Sequence, residues 1–179
     1  KEKLTPRKTL QMAAGKRLLK GVYMSIRVLF ICHGNICRST MAESVFTYLV
    51  TQAGLASHFE INSAATSREE IGNPPHYGTV DKLRREHIPL IPHHARQMTA
   101  EDYRYYDYLI GMDTANIRNM TRIAGGVDKE QKIFKLLTFS GSGRDVADPW
   151  YTGDFDATFA DVMAGCSGFL EKIRREENI

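Results

Sequence analysis

An apolar run that ends in a short loop and an amphipathic helix limits most strongly how this chain can fold. Residues 26–31 are rich in Ile, Val, Leu and Phe, the composition of a strand that is buried on both faces. The loop that follows contains Gly34 and Asn35, and a helical pattern of apolar residues then runs from Ser39 to Gly54. The segment therefore predicts a strand, a tight loop and a helix, the repeating unit of parallel α/β sheets.

The rest of the chain continues this alternation. Further strands are predicted at residues 59–64, 107–112 and 132–137, helices at 77–86 and 114–122, and a long amphipathic helix from Phe155. We predict a flavodoxin-like or Rossmann-like three-layer α/β/α fold with a central four-stranded parallel sheet. Ligands bind such sheets at the carboxyl ends of the strands, so the loop after the first strand is the expected site.

The distribution of charge limits the possible partners. The chain carries a formal net charge of +3, but residues 1–24 hold seven basic side chains and one acidic side chain. The remaining residues are therefore slightly acidic, and we expect the domain to bind no nucleic acid. No stretch approaches the roughly 18 consecutive apolar residues of a membrane helix, so we expect no stable membrane association.

The first 23 residues differ in character from the rest of the chain. They lack the continuous apolar segment of a secretory signal peptide. We expect residues 1–23 to be a basic N-terminal extension or an added leader, and the folded domain to span residues 24–179. A basic amphipathic contact with a membrane or a partner is the alternative interpretation.

The loop after the first strand combines a thiol with an arginine. It joins the carboxyl end of a strand to the amino end of a helix, where unpaired backbone N–H groups and the helix dipole favour an anion. Gly34 permits close backbone approach, and Asn35 tolerates a left-handed conformation. A nest of N–H groups here would stabilise the thiolate of Cys32 and, with the planar fork of Arg38, bind one phosphate.

A cysteine and an arginine six residues apart are by themselves a weak pattern. A strand, a loop with one glycine and a helix also occur where a nucleotide phosphate binds, or where no ligand binds. The preceding strand, the Gly-Asn pair and Ser39 directly after the arginine favour catalysis over these alternatives.

The sequence VLFICHGNICRS at residues 28–39 resembles the signature of the low-molecular-weight protein tyrosine phosphatases, C-x-G-N-x-C-R-S followed by Pro. The likeness continues in that family's order with SAATS at residues 63–67, IGNPP at 71–75, HARQ at 94–97, MD at 112–113 and DPWYTGDF at 148–155. It covers about residues 26–175, so the resemblance is far more specific than the loop alone.

This resemblance implies a two-step hydrolysis of phosphotyrosine. Cys32 is the implied nucleophile, Arg38 the phosphate clamp and Asp148 the general acid, which then activates water against the phosphocysteine. An Asx turn ahead of Pro149 is the alternative interpretation of Asp148. The expected substrates are tyrosine-phosphorylated proteins or small aryl phosphates, and inorganic phosphate is the product. No metal and no other cofactor is expected.

The resemblance assigns supporting residues as well. The rest of the phosphate-binding loop consists of His33, Gly34, Asn35, Ile36, Cys37 and Ser39. The implied substrate pocket consists of His33, Glu69, Trp150 and Tyr151, although the two aromatic side chains are also compatible with packing against the sheet. Ser39 is expected to hydrogen-bond the thiolate, and Asn35, Ser63 and His93 to form a network that holds the loop.

The chain contains three cysteines, too few for a disulfide scaffold, which indicates a reducing compartment and hence the cytoplasm. Cys37 is either a redox partner that shields Cys32 in a reversible disulfide or a small buried side chain. Cys166 lies on the apolar stripe of the last helix and is expected in the core.

Three positions depart from the family pattern. His33 stands where many relatives have Leu, Glu69 where an aromatic residue is usual, and Thr40 where Pro follows CRS. Glu69 and Glu70 would repel acidic sequences around a phosphotyrosine, so we expect weakened selectivity for acidic peptides. Thr40 should alter only the start of the helix.

Three other functions are compatible with such a fold. An arsenate reductase needs further cysteines for a disulfide relay, and Cys166 is the only one outside the loop. A phosphoarginine phosphatase would carry Thr in place of Ile36, whose apolar side chain favours a phenyl ester. A phosphotyrosine-binding module without activity would be expected to lack Cys32 or Asp148.

Overall fold

The computed structural model describes residues 18–19 and 22–179, with side chains from Met24 onward. Most of the segment predicted to be an extension, residues 1–23, therefore lies outside the described residues. A short antiparallel pair joins Leu18–Leu19 (β1) to Val22–Tyr23 (β2). None of the helices in the described part of the chain is long and apolar enough to cross a membrane.

The main sheet contains four parallel strands. In chain order they are β3 (Ile26–Cys32), β4 (Phe59–Ala65), β5 (Tyr108–Gly111) and β6 (Ile133–Lys135). Their spatial order is β4-β3-β5-β6, so β3 pairs on both sides and is buried along its length. The apolar composition of residues 26–31 is explained by this central position.

Helices cover both faces of the sheet. They are α1 (Arg38–Gln52), α2 (Tyr77–Arg85), α3 (Ala100–Tyr105), α4 (Thr114–Ile123), α5 (Pro149–Thr152) and α6 (Phe155–Glu177). Alternate residues of β3 enter two cores: Val28 and Phe30 pack with α1 and α6, whereas Leu29 and Ile31 pack with α3 and α4. This confirms the predicted three-layer α/β/α fold with a four-stranded parallel sheet.

Several local elements differ from the sequence prediction, including the short helix α5 and the 3₁₀ helix Ala56–His58, neither of which was predicted. The strand predicted at residues 132–137 is wrong in its second half, because Leu136 and Leu137 begin a 3₁₀ helix, Leu136–Ser140, that packs into the core beside α6. The short helix α3 was not predicted, although its capping box is visible in the sequence. Thr99 accepts from the backbone N–H of Asp102, and the carboxylate of Asp102 accepts from the N–H of Thr99.

Candidate active site

The loop between β3 and α1 lies in a cleft of about 290 Å³ at the carboxyl end of the sheet. β3 ends at Cys32 and α1 begins at Arg38, so the strand and the helix position the two side chains. The cleft is lined by Cys32, His33, Gly34, Ile36, Cys37, Arg38, Glu69, Glu70, Asp113, Ala115, Asn116, Asn119, Asp148, Trp150 and Tyr151. The sequence-predicted catalytic residues and pocket residues therefore meet in one place.

Polar groups surround the sulfur of Cys32. The backbone N–H of Asn35 donates to its Sγ at 3.3 Å, and the hydroxyl of Ser39 lies 3.1 Å from the same atom. Asn35 has a φ of +60°, the left-handed conformation that turns its N–H group toward the sulfur. These contacts place polar hydrogen-bonding groups around the sulfur.

The side chain of Asn35 sets the direction of a buried hydrogen-bond network. Its Oδ1 accepts from the backbone N–H of Arg96 at 3.1 Å, so its Nδ2 must donate to the hydroxyls of Ser39 and Ser63, at 2.9 and 3.0 Å. The hydroxyl of Ser39 therefore accepts from Asn35 and keeps its own proton available for the sulfur of Cys32. His93 donates from Nε2 to Asn35 Oδ1 at 2.6 Å.

A buried carboxylate at the end of this network was missed by the sequence analysis. The hydroxyl of Ser63 donates to Oε2 of Glu43 at 2.5 Å, and that oxygen lies 3.7 Å from Nδ1 of His93. Burial raises the pKa of Glu43 to about 7, although the Ser63 hydrogen bond and the charge of Arg96 oppose this. Burial, with the charges of Arg96 and His94, lowers the pKa of His93. The uncharged forms of Glu43 and His93 are therefore both favoured.

The guanidinium of Arg38 is held between two carboxylates. Its Nη1 donates to Asp113 and its Nη2 to Asp148, each at 2.8 Å, and the side chain is only 3% exposed. Burial by itself would lower the pKa of Arg38, but the negative charges of Cys32, Asp148 and Asp113 outweigh it and raise the pKa. Asp113 also caps α4, since its Oδ1 accepts from the N–H of Asn116 at 2.6 Å.

Asp113 was quoted in the sequence motif but was assigned no role. Its position two residues after the end of β5, the neighbour of β3 in the sheet, is the signal that places it beside the loop. Glu43 has a comparable signal, because it lies four residues after Ser39 and three before Phe46 in α1. A carboxylate at that spacing shares the buried face of the helix.

The carboxylate of Asp148 makes both a turn contact and a contact inside the cleft. Its Oδ1 accepts from the N–H of Trp150 at 3.1 Å and caps α5, as an Asx turn before Pro149 requires. Its Oδ2 accepts from Arg38, so the same side chain belongs to the cleft. The turn therefore positions the carboxylate and does not exclude it from the site.

The rim of the cleft carries aromatic and acidic groups. Trp150 and Tyr151 are 62% and 85% exposed, so neither packs against the sheet. Across the rim, Nε2 of His33 lies 3.0 Å from Oε2 of Glu69. Asn73 donates to Glu70 at 2.6 Å.

The other two cysteines, Cys37 and Cys166, are buried, and burial raises the pKa of both thiols. Cys37 packs with Ile36 and Ala95, and burial, followed by the charges of Cys32 and Asp148, raises its pKa to about 12. Cys166 is fully buried among core residues of α1 and α6, where burial raises its pKa.

Thr40 lies in the first turn of α1, where its hydroxyl donates to the carbonyl of Cys37 at 3.0 Å. No group of three or more His, Cys, Asp or Glu side chains able to hold a metal ion occurs among the described residues.

Sequence comparison assigns the chain to a family. The model of the low molecular weight phosphotyrosine protein phosphatases matches residues 27–179. The chain belongs to this family. The residues that match the family model include the loop, the cleft and both layers of helices.

Known members of the phosphatase family are similar over most of their length. The low molecular weight protein-tyrosine-phosphatase YfkJ of Bacillus subtilis is 40% identical over 156 residues, which cover 86% of this chain and 99% of YfkJ. The human low molecular weight phosphotyrosine protein phosphatase is 40% identical over 149 residues, 81% of this chain and 94% of that protein.

Solved structures agree with this assignment. The crystal structure of YfkJ superposes with a TM-score of 0.82 and 41% identity, covering 86% of this chain and 97% of that one. The Drosophila arginine phosphatase DARP superposes with a TM-score of 0.77 at 26% identity, covering 83% of this chain and 98% of that one.

Proposed function

We propose that this phosphatase hydrolyses phosphotyrosine through a phosphocysteine on Cys32. The observation that carries the proposal is the meeting of three groups in one cleft: the sulfur of Cys32 with N–H and O–H donors, the fork of Arg38, and the carboxylate of Asp148. A nucleophile, an anion clamp and a proton donor are what cleavage of an aryl phosphate needs.

In the first step the thiolate of Cys32 attacks phosphorus and forms the S–P bond. The P–O bond to the phenyl ring breaks, and the phenolic oxygen takes both its electron pair and the proton of Asp148. Phenolic hydroxyls have a pKa of about 10, so this proton transfer makes the leaving group far better. Arg38 and the loop N–H groups hold the phosphate oxygens as charge shifts toward the leaving atom.

In the second step water attacks the phosphocysteine. The carboxylate of Asp148 removes a proton from the water, the S–P bond breaks, and the thiolate returns on Cys32 while inorganic phosphate leaves. Ser39 donates to the sulfur and stabilises it as a leaving group. Asn35, Ser63 and His93 are assigned to holding Ser39 and the loop in place.

The proposed mechanism requires no metal ion. The free thiols favour a reducing compartment, and we propose the cytoplasm as the location. The proposed substrates are tyrosine-phosphorylated proteins, with small aryl phosphates as simple analogues.

The decisive experiment measures phosphate release from a phosphotyrosine peptide in the presence of a metal chelator. We expect Cys32→Ser to abolish turnover, and Asp148→Ala to lower kcat by about 100-fold, the contribution of a general acid. Full activity in Cys32→Ser would overturn the proposal. Tight binding of the peptide to the parent protein without turnover would establish the binding-module interpretation instead.

Phosphoarginine is the second candidate substrate, because DARP, an arginine phosphatase, has a similar structure. In this chain Ile36 lines the cleft with an apolar side chain, which favours a phenyl ring over a guanidinium. We therefore expect the kcat/KM for phosphotyrosine to exceed that for phosphoarginine. The opposite order would reassign the substrate.

A further inference from the structure

The mouth of the cleft has an unusual balance of charge for a site that takes an anion. Its lining includes the carboxylates of Glu69, Glu70, Asp113 and Asp148. Among residues 24–179, Arg38 is the only lysine or arginine in that lining, and its buried guanidinium is already shared by two of the carboxylates. Within this lining, the two outer carboxylates of Glu69 and Glu70 therefore have no lysine or arginine as a partner.

Glu69 and Glu70 form the acidic part of the rim. The side chain of Glu69 is 71% exposed, and its Oε2 lies 3.0 Å from Nε2 of His33. Glu70 is held close to the phosphate loop, because a Cβ on Gly34 would lie 3.2 Å from its Cγ, and Asn73 fixes its carboxylate. Both carboxylates therefore face whatever part of a substrate emerges from the cleft.

The exposed aromatic side chains are a second, independent feature that suits a cation. Trp150 and Tyr151 line the same cleft, and their rings are exposed to solvent. Aromatic faces attract lysine and, more often, arginine side chains, and arginine also pairs with carboxylates through its planar fork. A basic side chain at the rim is therefore favoured by both the acidic and the aromatic groups.

We propose that this phosphatase selects phosphotyrosine sites with a lysine or arginine directly adjacent to the phosphotyrosine, and that Glu69 and Glu70 determine this selectivity. The proposal rests on the proposed phosphotyrosine phosphatase function. The phosphate occupies the loop and Arg38, while the neighbouring basic side chain lies between the two glutamates and Trp150. Arg68, next to Glu69 in sequence, does not line the cleft.

The test compares three phosphotyrosine peptides of equal length whose flanking residues are basic, neutral or acidic. At low ionic strength we expect kcat/KM for the basic peptide to exceed that for the acidic peptide about tenfold, because each exposed ion pair contributes a factor of about 1.5 to 5. The Glu69→Gln/Glu70→Gln double variant should reduce this ratio to about two. Glu171→Gln, which removes an exposed charge on α6 away from the cleft, should leave the ratio unchanged.

An aryl phosphate whose ring carries no charged substituent serves as reference in every assay, since it lacks the flanking residues. If the parent protein fails to hydrolyse it, the proposed function itself is wrong. If it is hydrolysed but the peptide ratio is near one or favours the acidic peptide, the selectivity proposal is wrong. A ratio that persists in the double variant would remove the two glutamates from the explanation. The charge reversal Glu69→Arg, at an exposed position that folding tolerates, should invert the preference.

Discussion

Asp148 accepts a hydrogen bond from Arg38 at 2.8 Å, so the proposed acid occupies part of the fork that is proposed to bind phosphate. Asp113 holds the other terminal nitrogen at the same distance. In the described part of the chain these contacts and the carbonyl of Val146 use three of the five N–H groups of Arg38, so a phosphate on the remaining two binds beside the negative charges of both carboxylates and competes with them for Arg38. Asp113 belongs to a reciprocal capping box at the start of α4, whereas Asp148 caps the four-residue helix α5 through the N–H group of Trp150, so Asp148 is the partner that can yield more easily.

The first prediction follows from this competition for Arg38. Asp148→Ala frees one arm of the guanidinium and removes a negative charge beside the bound anion, so inorganic phosphate should bind about threefold to tenfold more tightly. The inhibition constant of phosphate against an aryl phosphate measures this, even though kcat falls. Glu171→Gln is the control for a charge removed elsewhere. If inorganic phosphate inhibits Asp148→Ala no more strongly than it inhibits the parent protein, Asp148 does not compete with phosphate for Arg38.

Much of the fold was predictable because burial leaves a periodic pattern. The central strand β3 reads as a continuous apolar run, and α6 shows its buried stripe at helical spacing. The 3₁₀ helix from Leu136 was not predictable in this way. A short apolar run has the same composition whether it pairs in a sheet or packs beside a helix, and the contact with α6 decides between them.

The site was predictable where chemistry and a recognisable motif coincide, as for Cys32 and Arg38. Glu43 was missed because a carboxylate in a helix is normally assigned to the solvent face, and only the packed structure shows that it meets Ser63. The two bonds made by Asp148 could not be predicted together, because the sequence suggested the cap and the family suggested the cleft. Only the geometry shows that one carboxylate does both.

The second prediction separates the backbone of Asn35 from its side chain. Asn35→Gly tolerates the positive φ but removes the amide that connects Ser39, Ser63 and His93, so activity should fall about 10-fold to 100-fold while the protein remains folded. Steady-state kinetics with an aryl phosphate measure the loss. His87→Gly, at another residue with positive φ, is the matched control and should not change activity. Full activity in Asn35→Gly would restrict the role of Asn35 to its backbone conformation.

The third prediction concerns the pH dependence of stability. The pKa of Glu43 is about 7 in the folded protein against 4.5 ordinarily, so the folded state favours the protonated acid. This stabilisation is complete below about pH 4.5, declines as the pH rises through 7, and amounts to about 3 kcal/mol of unfolding free energy.

Glu43→Gln cannot lose a proton and serves as the reference for that prediction. Urea denaturation of both proteins between about pH 5 and pH 8 should show the parent losing stability relative to the variant as the pH rises. Titrating groups that both proteins share contribute similarly to each unfolding free energy, so their contributions largely cancel when one free energy is subtracted from the other. A difference that is constant over this range would show that Glu43 keeps its ordinary pKa.

The fourth prediction tests the packing of α6 against the 3₁₀ helix. A Cβ on Gly168 would overlap the carbonyl oxygen of Phe139, a backbone atom that cannot turn aside as a side chain can. Gly168→Ala would ordinarily stabilise a helix by about 1 kcal/mol, but here we expect a loss of about 2 kcal/mol because α6 must shift. Gly143→Ala is the matched control, since no atom lies within 4 Å of its Cβ position, and it should change stability by less than about 0.5 kcal/mol. Thermal unfolding of the two variants measures the contrast, and equal melting temperatures would mean that α6 lies farther from Phe139.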